Sequence, residues 1–187
     1  MYTFLIPLLL GFALNSASDF TTTYSRLWGE RGGRLASSIL RNVVGIPVWA
    51  AGFCLAFRTP STMLFHPSLI SDTLGWLAII AGAVVISWGL QALRWRAAMP
   101  SVRDTLVVDG PYAFVRHPLY SGMFLEFAGL LLLSPTRVVG LACILGLVWG
   151  LLQARLEEID LVKRLPAYVE YMQRVPRFVP GLKKRST

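Results

Sequence analysis

The chain has 187 residues, of which 55% are hydrophobic and only 15% are charged, and its mean hydropathy is +0.57. Soluble domains average about 25% charged residues, so this composition excludes a disordered protein and argues against an ordinary water-soluble domain. The length allows one domain. We therefore expect a single membrane domain over residues 1–187, with anchor helices in 1–98 and most of the concentrated polar features in 99–187.

The cysteines and histidines exclude several kinds of site. Cys54 and Cys143 lie in apolar stretches, and His66 and His117 are far apart in the chain. A zinc site needs three or four protein ligands at recognisable spacing, so no metal site is predicted. The sequence also has none of the motifs GxGxxG, GxxxxGK[ST] and GxSxG, which excludes a nucleotide site of the Rossmann type.

Five apolar segments predict an all-α integral membrane protein with five transmembrane helices, because about 20 apolar residues cross the hydrocarbon core of a bilayer. In chain order they are Tyr2–Ala17, Ile39–Phe57, Leu69–Leu93, Leu119–Ser134 and Thr136–Ala154. The short connection through Pro135 predicts that the last two helices form a tight hairpin. Pro118 and Pro135 suit the first turns of the fourth and fifth helices, where a missing N–H is tolerated.

The basic residues lie almost entirely on one side of this arrangement. The loops after the first and third segments and the C-terminal tail together hold 16 of the 18 Lys and Arg residues, and the other two loops hold only Arg58 and Arg137. The positive-inside rule then predicts an outside N-terminus and a cytoplasmic C-terminus. The net charge of +8 is thus explained by topology and membrane lipid, without nucleic acid. A cleaved signal peptide over the first segment is the alternative, but no basic residue precedes the apolar run.

A first polar cluster, from Arg103 to Gly122, precedes and opens the fourth segment. It contains the runs Gly110-Pro111-Tyr112 and Val115-Arg116-His117-Pro118-Leu119-Tyr120. We expect Arg116, His117 and Tyr120 to lie together at the cytoplasmic end of the fourth helix. A belt of basic and aromatic residues that merely anchors the helices at the interface is the alternative. Asn15 and Asp19, at the end of the first segment, are interpreted as interfacial.

A second polar cluster, Leu156-Glu157-Glu158-Ile159-Asp160, follows the fifth segment. Apolar residues recur there at helical spacing, so we expect the fifth helix to continue as an amphipathic cytoplasmic arm that ends at Pro166. Asp160 and Arg164 are four residues apart and can pair. A solvated helix is the alternative. Since both clusters lie at the same membrane face, we predict that they form one pocket.

These runs, together with Leu156-Glu157-Glu158, Tyr168, Tyr171 and Val175–Pro180, resemble the isoprenylcysteine carboxyl methyltransferase family. The resemblance extends from about Arg103 to Pro180. It implies an integral membrane enzyme that uses S-adenosylmethionine and binds it with a loop and C-terminal helices, outside any Rossmann sheet.

The resemblance also implies roles for particular residues. Glu157 or Glu158 would hold a ribose hydroxyl or the ammonium group of the cofactor. An arginine that orients the substrate carboxylate is expected just before the glutamates, which indicates Arg155, with Arg116 as the alternative. The other cofactor contacts would come from Asp104, Thr105, Leu106, Val107, Tyr112, Arg116, His117, Pro118, Leu119 and Tyr120.

Glu126 lies about two turns into the fourth segment among apolar residues. A charge at the centre of a bilayer costs about 2.5–3.5 kcal/mol on insertion scales, so Glu126 is predicted to face the bundle interior. Two interpretations are open. It is either a substrate-tunnel residue with a catalytic role or a buried carboxyl group bonded to a neighbouring helix.

The predicted function is S-adenosylmethionine-dependent methylation of the carboxylate of a lipophilic, isoprenylcysteine-like substrate. A carboxylate is already ionised at neutral pH and needs no general base, which agrees with the lack of a catalytic triad. The expected partners are the lipophilic or prenylated substrate and membrane lipid, with no nucleic acid and no obligate protein partner. The alternatives are another lipid, amine or thiol acceptor, a nicotinamide-dependent membrane reductase of related architecture, and a non-catalytic scaffold.

Overall fold

The computed structural model describes residues 2–94 and 104–181. Arg103, where the first polar cluster begins, lies outside the described residues. A π-helix, Ile39–Gly45, and a 3₁₀ turn, Gly110–Ala113, accompany the α-helices. The α-helices of the described residues are α1 (Leu5–Ala17), α2 (Thr21–Ser38), α3 (Ile46–Arg58), α4 (Leu69–Leu93), α5 (Pro118–Leu133), α6 (Arg137–Arg164) and α7 (Ala167–Arg174).

Three helical stretches of the described residues are long and apolar enough to cross a membrane, namely Thr21–Arg58, Leu69–Leu93 and Arg137–Arg164. The second of these has the bounds of the predicted third segment, and the third confirms that the fifth helix continues to the residues just before Pro166. A cytoplasmic position of that continuation stays a prediction. α1 and α5 are apolar but have only 13 and 16 residues. At 1.5 Å per residue they extend about 20 and 24 Å, less than the hydrocarbon thickness of about 30 Å. The count of five spans stays a prediction.

The segment between the first two predicted spans is a helix, so its interpretation as a loop is wrong. It forms α2, which kinks at Gly29 with a φ of 73° and runs on through the π-helix into α3. The side chains of Thr21 and Ser37 share a hydrogen bond of 2.9 Å, and Arg34 pairs with Glu30 one turn away at 3.0 Å. The Arg34–Glu30 pair supports helical structure where charge alone suggested a loop. The Thr21–Ser37 bond joins residues 16 apart, so the chain folds back on itself at the Gly29 kink.

The two prolines expected inside helices behave differently. Pro118 occupies the first turn of α5, as predicted. Pro135 instead precedes α6, because Thr136 caps that helix by accepting a hydrogen bond from the N–H of Val139. The carbonyl of Pro135 accepts a hydrogen bond of 2.6 Å from Leu64. The turn is thus fixed against the α3–α4 connection.

α4 and α5 pack with their backbones in contact. Gly75, Gly82 and Gly89 recur every seven residues on α4, and Gly122 and Gly129 lie opposite them on α5. A methyl group added at Gly82 would lie 2.5 Å from the carbonyl oxygen of Gly122, and one at Gly122 would lie 2.6 Å from that of Gly82. Only glycine permits this approach, so α5 is held by α4 as well as by its hairpin partner α6.

The apolar core joins α1 and α3 to the helical hairpin. Phe4, just before α1, and Leu8 and Phe12 of α1 pack in one cluster with Phe53 of α3 and Phe127 of α5. The cluster also includes residues from the first turns of α6. The N-terminal helices therefore belong to the same packed body as the helices that carry the polar clusters.

Candidate functional site

A cavity of about 370 Å³ lies where α1 ends and α5 begins. α6 and α7 contribute to its wall, and so does the segment 104–107. It also receives residues of the π-helix, α3 and the end of α4. The cavity therefore draws on both sides of the division predicted near residue 99.

Most of the predicted site residues line this cavity. They are Asp104, Thr105, Leu106, Val107, Tyr112, Arg116, His117, Leu119, Tyr120 and Glu157. Four others lie elsewhere. Pro118 is buried in the first turn of α5, Glu158 lies behind His117, Arg155 is exposed on α6 outside the lining, and Glu126 packs against Gly82 of α4. The two polar clusters are thus neighbours, while the individual roles stay predictions.

His117 lies between the two adjacent glutamates of α6. Its Nε2 is 3.1 Å from Oε1 of Glu158, and its Nδ1 is 3.6 Å from Oε2 of Glu157. Burial by itself would lower the pKa of His117, but hydrogen bonds and charges from both glutamates outweigh it and raise the pKa above its usual value. The imidazole is therefore held as a cation that links α5 to α6.

Glu157 is the member of the pair that faces the cavity. The hydroxyl of Tyr120 donates a hydrogen bond of 2.5 Å to its Oε1. Its side chain is 27% exposed, whereas that of Glu158 is 5% exposed. Glu157 thus presents its carboxylate to the cavity, and the hydrogen bond from Tyr120 fixes the position of one of the two oxygens.

Glu158 contacts three cationic side chains from two other parts of the chain. Its carboxylate is 3.0 Å from Nη2 of Arg116 and 3.1 Å from Nε2 of His117, both just before α5. Arg177 of the C-terminal tail reaches it with Nη2 at 2.5 Å and Nε at 3.1 Å. The Glu158 cluster, defined as Glu158, Arg116, His117 and Arg177, therefore ties α6, the start of α5 and the tail together.

Backbone contacts add to this attachment. The N–H of Arg116 donates to the carbonyl of Pro176 at 2.9 Å, and that of His117 donates to the carbonyl of Arg177 at 3.1 Å. These N–H groups precede α5 and have no partner within that helix, so the tail satisfies them. The tail is fixed beside the cavity by main-chain and side-chain bonds together.

A second polar network, contributed largely by the N-terminal helices, was not predicted. Arg41 donates to Oδ1 of Asp19 at 2.7 Å and to Oγ of Ser18 at 3.1 Å. The amide of Gln153 on α6 donates to the other oxygen of Asp19, and the hydroxyl of Ser16 donates to Oε1 of Gln153 at 2.5 Å. Burial and the charge of Glu157 raise the pKa of Asp19 to about 8, against the opposing charge of Arg41.

The interfacial interpretation of Asn15 and Asp19 is therefore wrong. Asn15 is 7% exposed, and both residues line the cavity. The sequence held one usable signal. Gln153 and Glu157 follow Trp149 at four-residue spacing in α6, so three polar or amphipathic side chains share one face of an apolar helix.

The raised pKa of His117 predicts a pH dependence of stability. Its charge stabilises the fold fully below its ordinary pKa, about 6.5, and this contribution is lost as the pH rises through the raised value. The melting temperature in detergent should therefore fall from about pH 6 to about pH 9, and less steeply in His117→Gln. Asp19, whose pKa is also raised, adds to the slope in both proteins.

His66 offers the matched control, since it is exposed in the α3–α4 connection. His66→Gln should keep the full slope of the unaltered protein. Equal slopes for His117→Gln and His66→Gln would contradict the assignment of a stabilising charge to His117.

Comparison with known proteins relates the helices that carry this site to a known family. Residues 73–163 match the isoprenylcysteine carboxyl methyltransferase (ICMT) family. The resemblance drawn from the sequence motifs is confirmed over this stretch of the chain. The match runs from the start of α4 almost to the end of α6, so it includes both polar clusters but not the tail.

Three curated proteins are similar to the chain. It is 30% identical to the cobalt-zinc-cadmium resistance protein CzcN of Cupriavidus metallidurans, over 73% of this chain and 64% of that protein. It is 32% identical to the nickel-cobalt-cadmium resistance protein NccN of Alcaligenes xylosoxydans, over 56% of this chain and 50% of that protein. It is 37% identical to human protein-S-isoprenylcysteine O-methyltransferase, over 80% of this chain and 56% of that protein.

The chain thus matches between half and two thirds of the length of these relatives. No solved structure matches it significantly.

Proposed function

We propose that the protein is an integral membrane methyltransferase that uses S-adenosylmethionine and methylates the carboxylate of a lipophilic, isoprenylcysteine-like acceptor. The observation that supports this most directly is the shared cavity. It brings the segment 104–107, Tyr112, His117 and Glu157 together from separate parts of the chain. These are the positions at which the family resemblance implies cofactor contacts.

The cavity suits the cofactor in size and chemistry. Its volume of about 370 Å³ lies within the usual range for small-molecule sites, about 300–1,000 Å³. Asp104 and Glu157 supply carboxylates toward a ligand that carries a sulfonium and an ammonium group, whereas the carboxylate of Asp160 is paired with Arg164 at 2.6 Å. Tyr112 and Tyr120 supply aromatic surface for an adenine ring. Glu157, oriented by Tyr120, would hold a ribose hydroxyl or the ammonium group.

When bound, S-adenosylmethionine supplies an activated methyl group, which an ionised carboxylate accepts without proton transfer while the bond-electron pair stays on sulfur. The protein's contribution is positioning and exclusion of water. Fixed dipoles such as the Glu157–Tyr120 hydrogen bond replace solvent around the charges. Reacting atoms need to be held about 3–3.5 Å apart and in line. Such positioning requires no catalytic triad. It requires only that the residues lining the cavity hold the donor and the acceptor in place.

We propose that all five apolar segments lie in the bilayer, with the N-terminus outside and the C-terminus and cavity on the cytoplasmic side. The distribution of Lys and Arg supports the orientation. The short helices support the position of the cavity, because α1 ends and α5 begins at its wall. Because α1 and α5 are shorter than the spanning helices, they leave space beside the longer helices within the thickness of the bilayer. A lipophilic acceptor would reach the site through this space from the membrane.

Replacement of Glu157 by glutamine should weaken cofactor binding. Loss of a charge-assisted hydrogen bond costs about 1.5–3 kcal/mol, which corresponds to about 10–100-fold in affinity. Calorimetry of the detergent-solubilised protein with S-adenosylhomocysteine measures this effect. Glu170→Gln, an exposed carboxylate on α7 paired with Arg174, is the control and should bind as the unaltered protein does.

The acceptor class follows from a transfer assay with radiolabelled methyl donor and prenylated cysteine, lipid, amine and thiol acceptors. Transfer to the prenylated cysteine carboxylate is the expected result. Binding of a nicotinamide cofactor in place of S-adenosylhomocysteine would overturn the proposal in favour of a reductase. Binding of neither would favour a scaffold.

A further inference from the structure

The cavity has a second wall, which the family motifs do not account for. The motif residues follow residue 103, whereas Arg41 and Asn42 of the π-helix enter the cavity from the N-terminal half of the chain. Ile46 and Trp49 of α3 continue this wall. It combines one cationic side chain with apolar surface.

The π-helix places Arg41 in this wall. The N–H of Ile46 donates to the carbonyl of Arg41, five residues earlier, which is the wide hydrogen-bond pattern of a π-helix. Gly45 allows close packing here, because a methyl group on it would lie 3.1 Å from the backbone nitrogen of Asn15. π-helical turns are rare and occur frequently at functional sites. Here the turn brings Arg41 to Ser18 and Asp19, just beyond the end of α1.

Arg41 keeps hydrogen-bonding capacity for a ligand. Its Nε donates to Ser18 and its Nη2 to Asp19, and among the described residues the structure gives no partner to Nη1. The raised pKa of Asp19 means that its carboxyl group neutralises Arg41 only in part near neutral pH. A planar guanidinium with a remaining N–H edge is suited to a carboxylate.

From this wall we infer that Arg41 binds the carboxylate of the methyl acceptor, and that the apolar side chains beside it receive the acceptor's lipophilic chain. Leu90 and Leu93 at the end of α4 face the same cavity as Ile46 and Trp49. Arg41, Glu157 and Tyr120 line the same cavity, so a carboxylate on Arg41 would lie near the proposed cofactor site. The inference rests on the proposed function and identifies the residues that bind the methyl acceptor.

Ligand binding to the detergent-solubilised full chain tests this assignment. The probes are N-acetyl-S-farnesylcysteine and its uncharged carboxamide, titrated with and without S-adenosylhomocysteine. The unaltered protein should bind the carboxylate at least about tenfold more tightly, as expected for a charged hydrogen bond. In Arg41→Gln the two probes should bind within about threefold of each other, and S-adenosylhomocysteine affinity should change by less than about threefold.

Three further variants make the result specific. Arg31→Gln removes the same charge from an exposed position of α2 and should keep the carboxylate preference. Arg41→Lys should keep part of it. The double variant Asp19→Asn/Arg41→Gln removes both charges of the pair, so a loss of preference there cannot come from an unpaired Asp19.

The outcomes separate this inference from the proposed function. Loss of S-adenosylhomocysteine binding in Arg41→Gln, to the same extent as acceptor binding, would assign Arg41 to the cofactor and overturn the inference. So would a carboxylate preference that survives in both Arg41→Gln and the double variant, or one that Arg155→Gln removes instead. Failure of the unaltered protein to bind S-adenosylhomocysteine would overturn the proposed function, while the titrations without it would still test carboxylate recognition by Arg41.

Discussion

Glu158→Ala should strongly destabilise the protein and release its C-terminal tail. The side chain of Glu158 is buried, and it compensates the charges of Arg116, His117 and Arg177. Removal of one partner from a buried ion pair typically costs about 3–5 kcal/mol, because the remaining charges are left without compensation in a poorly solvating environment. The loss should appear as a lower melting temperature in detergent and as faster proteolysis of the chain after α6.

Glu170→Ala is a matched control for this prediction. It removes a carboxylate of an ion pair with a similar separation, 3.0 Å to Arg174, but its side chain is 69% exposed. Exposed pairs contribute little to stability, so this variant should melt close to the unaltered protein. If the two alanine variants had the same melting temperature, the Glu158 cluster would not hold the tail in place.

The Glu158 cluster also explains why the two adjacent glutamates lie in different surroundings. Successive residues of an α-helix point about 100° apart, so Glu157 and Glu158 cannot face the same environment. Glu157 meets the cavity and Tyr120, whereas Glu158 meets the two arginines. His117 contacts both. Glu158 would thus act by positioning His117 and the tail, and Glu157 by contact with the ligand.

The sequence allowed prediction of the helical bundle and of the meeting of the two polar clusters. α4 agrees with its predicted segment at both ends, because a long apolar run between polar ends defines a span. The clusters meet because they lie at the open ends of two helices joined by a short turn. Such features depend on residues that are close in sequence or on the connectivity of adjacent helices. Both can be inferred from a single amino-acid sequence.

The N-terminal wall of the cavity could not be predicted in this way. Arg41 and Asp19 are 22 residues apart, and each alone resembles an ordinary interfacial residue. They meet because α1 packs on α3 and because the π-helix widens one turn beside Asn15. Neither event has a local sequence signature. The glycines of α4 do have one, a seven-residue spacing, and it marks the contact on which the position of α5 depends.

Gly82→Leu should separate α4 from α5 and abolish ligand binding. A side chain at this position meets a backbone carbonyl of α5 at 2.5 Å, which rotamer changes cannot relieve. Extra methylenes in a core typically lower the stability by about 1–3 kcal/mol. The loss of stability here should be larger, because a whole helix has to move. α5 carries Leu119 and Tyr120 into the cavity, and α4 carries Leu90 and Leu93. Displacement of one helix from the other therefore opens the cavity itself.

The measurement is thermal stability by fluorescence-detected size-exclusion chromatography, followed by calorimetry with S-adenosylhomocysteine. Ala83→Leu supplies the comparison, because Ala83 is the next residue of α4 and is exposed on the outside of the bundle. A leucine there adds the same apolar volume without meeting α5, so stability and binding should be retained. Equal behaviour of the two leucine variants would show that backbone contact at Gly82 does not set the cavity. If only Gly82→Leu lost stability and S-adenosylhomocysteine binding, the glycines of α4 would determine the shape of the site, although none of them lines the cavity.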